Sequence, residues 1–159
     1  MLTIDITRDE ITPLLNELLQ RLGDLSEPLT AVGAKLQSSI SGRFETETDP
    51  NGAAWHPWAE STKASYPYAG SPAAQKTGRI GNGRILDRYG DMLQSLNYQM
   101  QGTNEVRIGF GSDYAVYHEF GTSRMQRRGL IFSDPNAGEL NHEDDQLILD
   151  TLYNHLDLN

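Results

Sequence analysis

The chain has 159 residues, enough for one domain with a sizeable core, and its 37 % hydrophobic and 22 % charged content is that of a globular protein. It has no run of about 18 apolar residues and no cysteine, which excludes a helical membrane span, disulfides and thiolate metal sites. The net charge of −9 disfavours general phosphate binding, and it is unevenly spread: residues 76–128 carry eight bases and five acids, whereas residues 129–159 carry seven acids and no base.

Leu2, Ile4 and Ile6 alternate with polar residues and predict a short strand, and the same start shows neither a basic n-region nor an apolar h-region of a secretory signal. Ile11, Leu14, Leu15, Leu18, Leu19 and Leu22 then recur at helical spacing up to Gly23. A second helix starts near Asp24 or Ser26, with Pro28 in its first turn and one apolar stripe of Leu25, Leu29, Val32, Leu36, Ile40 and Phe44. Such a stripe faces either the chain's own core or a partner.

From about Thr46 to Arg84 the periodicity disappears. Asp49-Pro50-Asn51-Gly52 is a turn signature, and Trp55, Trp58, Tyr66 and Tyr68 follow in an aperiodic stretch. A loop of this length is a candidate mobile or interface arm. Its tryptophans either anchor a neighbour or staple the loop onto its own domain. Ile85, Leu86, Tyr89, Met92, Leu93 and Leu96 predict a short helix bent at Gly90. Leu96 to Gln101 and Glu105 to Phe110 predict paired strands about Gly102-Thr103-Asn104. Ser112 to Phe120 predicts a short helix with an aromatic face of Tyr114, Tyr117 and Phe120, and Leu130-Ile131-Phe132 a brief strand or extended piece. In the last helix Asn141 serves as N-cap, Glu143, Asp144 and Asp145 suit the dipole, and Leu147, Ile148, Leu152, Tyr153 and Leu156 form the apolar face. These elements sum to a single α+β domain over residues 1–159: an N-terminal helix pair, a small antiparallel sheet, a C-terminal helix and a long central loop.

His118-Glu119 invites a metalloprotease reading. That chemistry needs a second histidine four residues on, so that both imidazoles share one helical face, and position 122 is Thr122. His56, His142 and His155 have no close ligand spacing either. The plainer reading is a polar pair that ties the helix to the loop beyond it. Gly78-Arg79-Ile80-Gly81-Asn82-Gly83 lacks the lysine and Ser/Thr of a phosphate loop, and no Gly-x-Ser-x-Gly occurs. No catalytic residue, metal site or cofactor is expected. Arg124, Arg127 and Arg128 are candidate donors for carboxylates of an adjacent subunit or for DNA phosphate, or else solvated loop charges.

Four stretches in order resemble the phage virion morphogenesis proteins, tail completion components of Mu-like phages and prophages. They are Arg43-Phe44 with Asp49 to Trp58; Leu86 with Gly90-Asp91-Met92-Leu93-Gln94-Ser95; Val106 to Thr122, ending in Tyr114-Ala115-x-x-His118-x-Phe120-Gly121-Thr122; and Arg127 to Phe132 with Asp134-Pro135 and the acidic-start helix. Tyr89, Trp58 and Gln126 depart from the pattern, where Thr, Leu and Pro are usual. The resemblance implies a structural protein without reaction or cofactor, acting in tail completion or head–tail joining. It would work as a homo-oligomeric ring, with six subunits one candidate number, beside other phage tail or neck proteins. It would assemble in the host cytoplasm and pass into the virion, with DNA met only in passage through the ring and no membrane contact. The charge segregation adds an expected interface: Arg124, Arg127 and Arg128 against Asp144 and Asp145 of the next subunit, with Trp55 and Trp58 as loop anchors. Two other readings stay open, a nucleic-acid-contacting assembly factor and a hydrolase built on His118 and Glu119.

Overall fold

The computed structural model describes residues 11–155. The predicted strand at Leu2–Ile6 and the predicted end of the last helix at Leu156 lie outside them. In chain order the elements are α1 (Ile11–Leu22), α2 (Ser26–Thr46), α3 (Glu60–Ala64), α4 (Pro72–Thr77), α5 (Asp91–Gln94), β1 (Leu96–Gln101), β2 (Glu105–Phe110), α6 (Ala115–Phe120) and α7 (His142–His155).

The stripe on α2 faces the chain's own core. Leu25, Leu29, Val32, Leu36, Ile40 and Phe44 are all buried, packed between the hairpin on one side and α7 on the other. Burying a side chain of this size contributes about 1.5–3 kcal/mol, so this row dominates the stability of the fold. Asp24 Oδ1 accepts the Ser26 N–H at 2.8 Å, and the Leu25 N–H donates to Thr103 O, fastening the hairpin turn to the start of α2. β1 and β2 pair antiparallel from Leu96↔Phe110 to Gln101↔Glu105, the strands the alternation predicts. Gly33 lets α2 lie close against this sheet, because a Cβ there would stand 2.5 Å from the Tyr98 ring.

α7 begins where the N-cap reading places it. Asn141 Oδ1 accepts the Asp144 N–H at 3.0 Å, and Asn141 Nδ2 donates to Pro50 O. The carboxylate of Asp144 then meets Arg43 inside the protein, with Ser39 Oγ donating to its other oxygen at 2.7 Å. Arg43 Nη1 also donates to Leu130 O at 2.6 Å.

Three predicted elements take another form. The helix expected from Ile85 is reduced to α5, since Leu86 adopts φ 60° and the Ile85 N–H donates to Glu47 Oε1 rather than entering a helical ladder. Asp87 fixes that turn by accepting from Arg84 and Asn82. The helix expected from Ser112 starts three residues later, at Ala115. Leu130-Ile131-Phe132 is buried but bends at Leu130 and Ile131, and among the described residues it pairs with no strand.

The 46–84 segment contains α3 and α4; one ring ties it to the rest of the domain and a second closes it on itself. Trp55 packs edge-on against Phe44 and donates Nε1–H to Gly129 O at 2.9 Å. Tyr66 stacks on Trp58 with centroids 4.5 Å apart, and its hydroxyl accepts the Gly83 N–H at 2.7 Å.

Candidate functional site

The segment from Ser112 to Phe132 is organised by one carboxylate. In α6, Ala115 and Glu119 point inward, four positions apart on one helical face, and Glu119 is fully buried. Its Oε2 accepts the N–H groups of Leu130 at 2.7 Å and Ile131 at 2.9 Å. Its Oε1 accepts Phe132 N–H at 3.1 Å and Arg127 Nη2 at 3.2 Å. A buried segment without a strand beside it needs partners for its N–H groups, and here the bends at Leu130 and Ile131 turn three of them toward a single side chain. Glu119 thus ties the helix to the loop beyond it. With both oxygens committed and no solvent access, it cannot serve as a base or a ligand for a substrate. Among the described residues no three His, Asp or Glu side chains are gathered to hold a metal.

The turn after α6 depends on Gly121. Its φ is 72°, and a Cβ there would stand 3.0 Å from Arg127 N and 3.1 Å from Met125 O. Thr122 and Met125 close the turn with reciprocal backbone hydrogen bonds, and Arg128 N–H donates to His118 O at 2.8 Å.

The other faces of α6 look outward. Tyr114, Val116, Tyr117 and Phe120 are 38–56 % exposed and form a contiguous apolar arc of the helix. An apolar cluster of this kind, on a helix whose inner face is locked, has the character of a contact surface. Tyr114 and His118 also border a cleft of about 430 Å³ between α6 and the 58–92 region, walled by Trp58, Tyr66, Met92 and Met125 with Arg88 and Arg128. His118 Nδ1 is buried, with no hydrogen-bond partner among the described residues. Burial, and then the charge of Arg128, push its pKa down to about 4, so the ring is neutral at pH 7.

The residues expected at an interface are mostly engaged within the chain. Arg127 donates to Glu119 O, the Glu119 carboxylate and Phe132 O. Arg128 donates to His56 O at 2.8 Å and Pro57 O at 3.0 Å. Trp55, Asp144 and Asp145 are buried, Asp144 against Arg43. Arg124 alone of the three arginines is exposed, and Trp58 is half-buried in its stack with Tyr66. Within one chain, then, Arg127, Arg128 and Asp144 already hold internal partners. Sequence reasoning missed the cleft, Arg88 and Val116. The cleft walls come from four separate stretches of chain, and no spacing rule connects them.

Among the described residues no helix is long and apolar enough to cross a membrane. The family model described as the phage virion morphogenesis family matches residues 6–157. No curated protein and no solved structure matches.

Proposed function

The chain belongs to the phage virion morphogenesis family, and on that premise we propose that it completes the phage tail or joins head to tail as a homo-oligomeric ring. Its role in virion assembly follows from the family; the ring, its place at the neck or tail end and its contacts with other tail or neck proteins are the present reading. The observation that carries it is the outward face of α6, where Tyr114, Val116, Tyr117 and Phe120 stand exposed on a helix pinned by Glu119. Rigid aromatic side chains dominate protein–protein contacts, at about 2 kcal/mol or more for each one at the centre of an interface. Exposed Arg124 beside them supplies a polar rim.

The test is a Tyr117→Asp, Phe120→Asp variant. Both positions are exposed, so the melting temperature should stay within a few degrees of wild type. The oligomer should dissociate to the monomer mass, and recovery of joined particles in a complementation assay should fall at least tenfold. Normal particles and an unchanged oligomer would refute the reading. Arg127 is occupied by two carbonyl groups and Glu119, and the net charge of −9 disfavours general phosphate binding, which leaves a DNA-phosphate surface with little support.

A further inference from the structure

We infer that the cleft beside α6 receives a carboxylate from the exposed face of α7 of a second copy of this chain. The inference rests on the homo-oligomer reading and deepens it by naming both sides of one contact.

The cleft is unfinished in a single chain. Arg128 at its wall is only 9 % exposed and donates to two carbonyl groups, yet among the described residues no carboxylate lies within ion-pair distance of it. Arg88 stands over the Tyr66 ring at 5.4 Å, also without an acidic partner among them. Arg84 differs, for Asp87 already neutralises it. His118, on the same wall, keeps a buried Nδ1 with nothing to bond. A charge withdrawn from water without a counter-charge is a standing cost that an anionic occupant removes. The aromatic and methionine walls would shield such a pair from water and strengthen it.

The complement is on the chain itself. Residues 129–159 hold seven acids and no base. On α7, Glu143 and Asp150 are exposed, seven positions apart on one helical face and roughly 10 Å apart along its axis. Neither has a cationic partner among the described residues. Two unbalanced cations in a cleft and two unbalanced carboxylates on another element, unable to meet within one chain, can meet between chains. Such a contact is heterologous, since the patch and the cleft are different surfaces, and heterologous contacts close into rings when the rotation permits.

The experiment measures the oligomer of the full chain by native mass spectrometry and sedimentation velocity, at low salt and at high salt, with the melting temperature of every variant recorded. Arg88 is exposed, so Arg88→Glu should fold normally and raise the subunit dissociation constant at least about tenfold. Glu143→Lys with Asp150→Lys should do the same. Combining Arg88→Glu with whichever single variant, Glu143→Lys or Asp150→Lys, weakens the oligomer more exchanges the charges of one pair, leaves Arg128 the remaining carboxylate, and should restore the oligomer. An oligomer indifferent to Arg88→Glu but lost in the Tyr117→Asp, Phe120→Asp variant overturns the cleft contact and leaves the homo-oligomer standing. Failure of the combined variant to recover also overturns it, as does loss of only a different virion component on Arg88→Glu. A wild-type chain that is monomeric at every concentration and salt overturns both readings.

Discussion

Replacing Glu119 by Gln keeps the shape of the side chain and removes its charge. The carboxylate accepts four hydrogen bonds, two on each oxygen, from Leu130, Ile131, Phe132 and Arg127. An amide has one accepting oxygen, so whichever way Gln turns, its NH2 group faces two donors. Each stranded buried donor costs about 1–3 kcal/mol. Arg127 remains half-wet and keeps its bonds to Glu119 O and Phe132 O, which holds the total below that of a fully enclosed ion pair. A loss of about 3–5 kcal/mol is expected, equivalent in a domain of this size to roughly 6–20 °C in melting temperature. Urea denaturation gives the first number and hydrogen exchange the second readout: the amides of Leu130, Ile131 and Phe132 should lose protection before those of β1 and β2. A double-mutant cycle with Arg127→Ala isolates the ion pair from the backbone bonds. A cost under about 1 kcal/mol, with protection at 130–132 unchanged, would refute the account of this carboxylate as the partner of the buried 130–132 segment.

Gly33→Ala should cost about 1–3 kcal/mol, because the added methyl meets the Tyr98 ring at 2.5 and 2.8 Å and Val106 at 3.1 Å; equal melting curves for variant and wild type would remove the close approach of α2 and sheet from the argument. His118 gives a pH signature of definite sign. Its pKa is depressed from 6.5 to about 4 in the fold, so between those values the unfolded chain binds a proton that the folded chain does not. Stability therefore falls as pH drops through this window and levels off below it. The full depression corresponds to at most about 3 kcal/mol, which solvent at the open side of the cleft reduces to about 1–2 kcal/mol. The stability difference between wild type and His118→Gln, followed from pH 7 to pH 4, should change by that amount, and parallel curves would contradict it.

Local rules made much of this fold readable. The α2 stripe works because its spacing and its burial are the same fact, and the hairpin because alternation and the turn residues agree. Asn141 was legible because a cap is decided by its next three residues. Long-range polar partners were not. Arg43 and Asp144 stand 101 positions apart, and nothing in either neighbourhood distinguishes a buried ion pair from a solvated charge. Arg127 and Arg128 mislead for a related reason: their acceptors are mostly backbone carbonyls, which every residue carries and no sequence pattern marks. Ile85 to Leu96 keeps helical spacing, yet Leu86 sits at positive φ because Asp87 and Glu47 claim the polar groups around it. The site was half legible. The tie made by Glu119 follows from its place in the motif, whereas the cleft exists only once four distant stretches meet.

Glu119 also has a bearing on how fast and how tightly subunits meet. The apolar arc on α6 is held through Glu119 to the 130–132 backbone, and that backbone is held by Arg43 to Asp144 at the start of α7. Docking onto such a surface requires little ordering of the chain, so the entropy that loops lose on association is largely lost already during folding. Association should then be limited by encounter and orientation, with a rate that responds to salt and barely to mild denaturant.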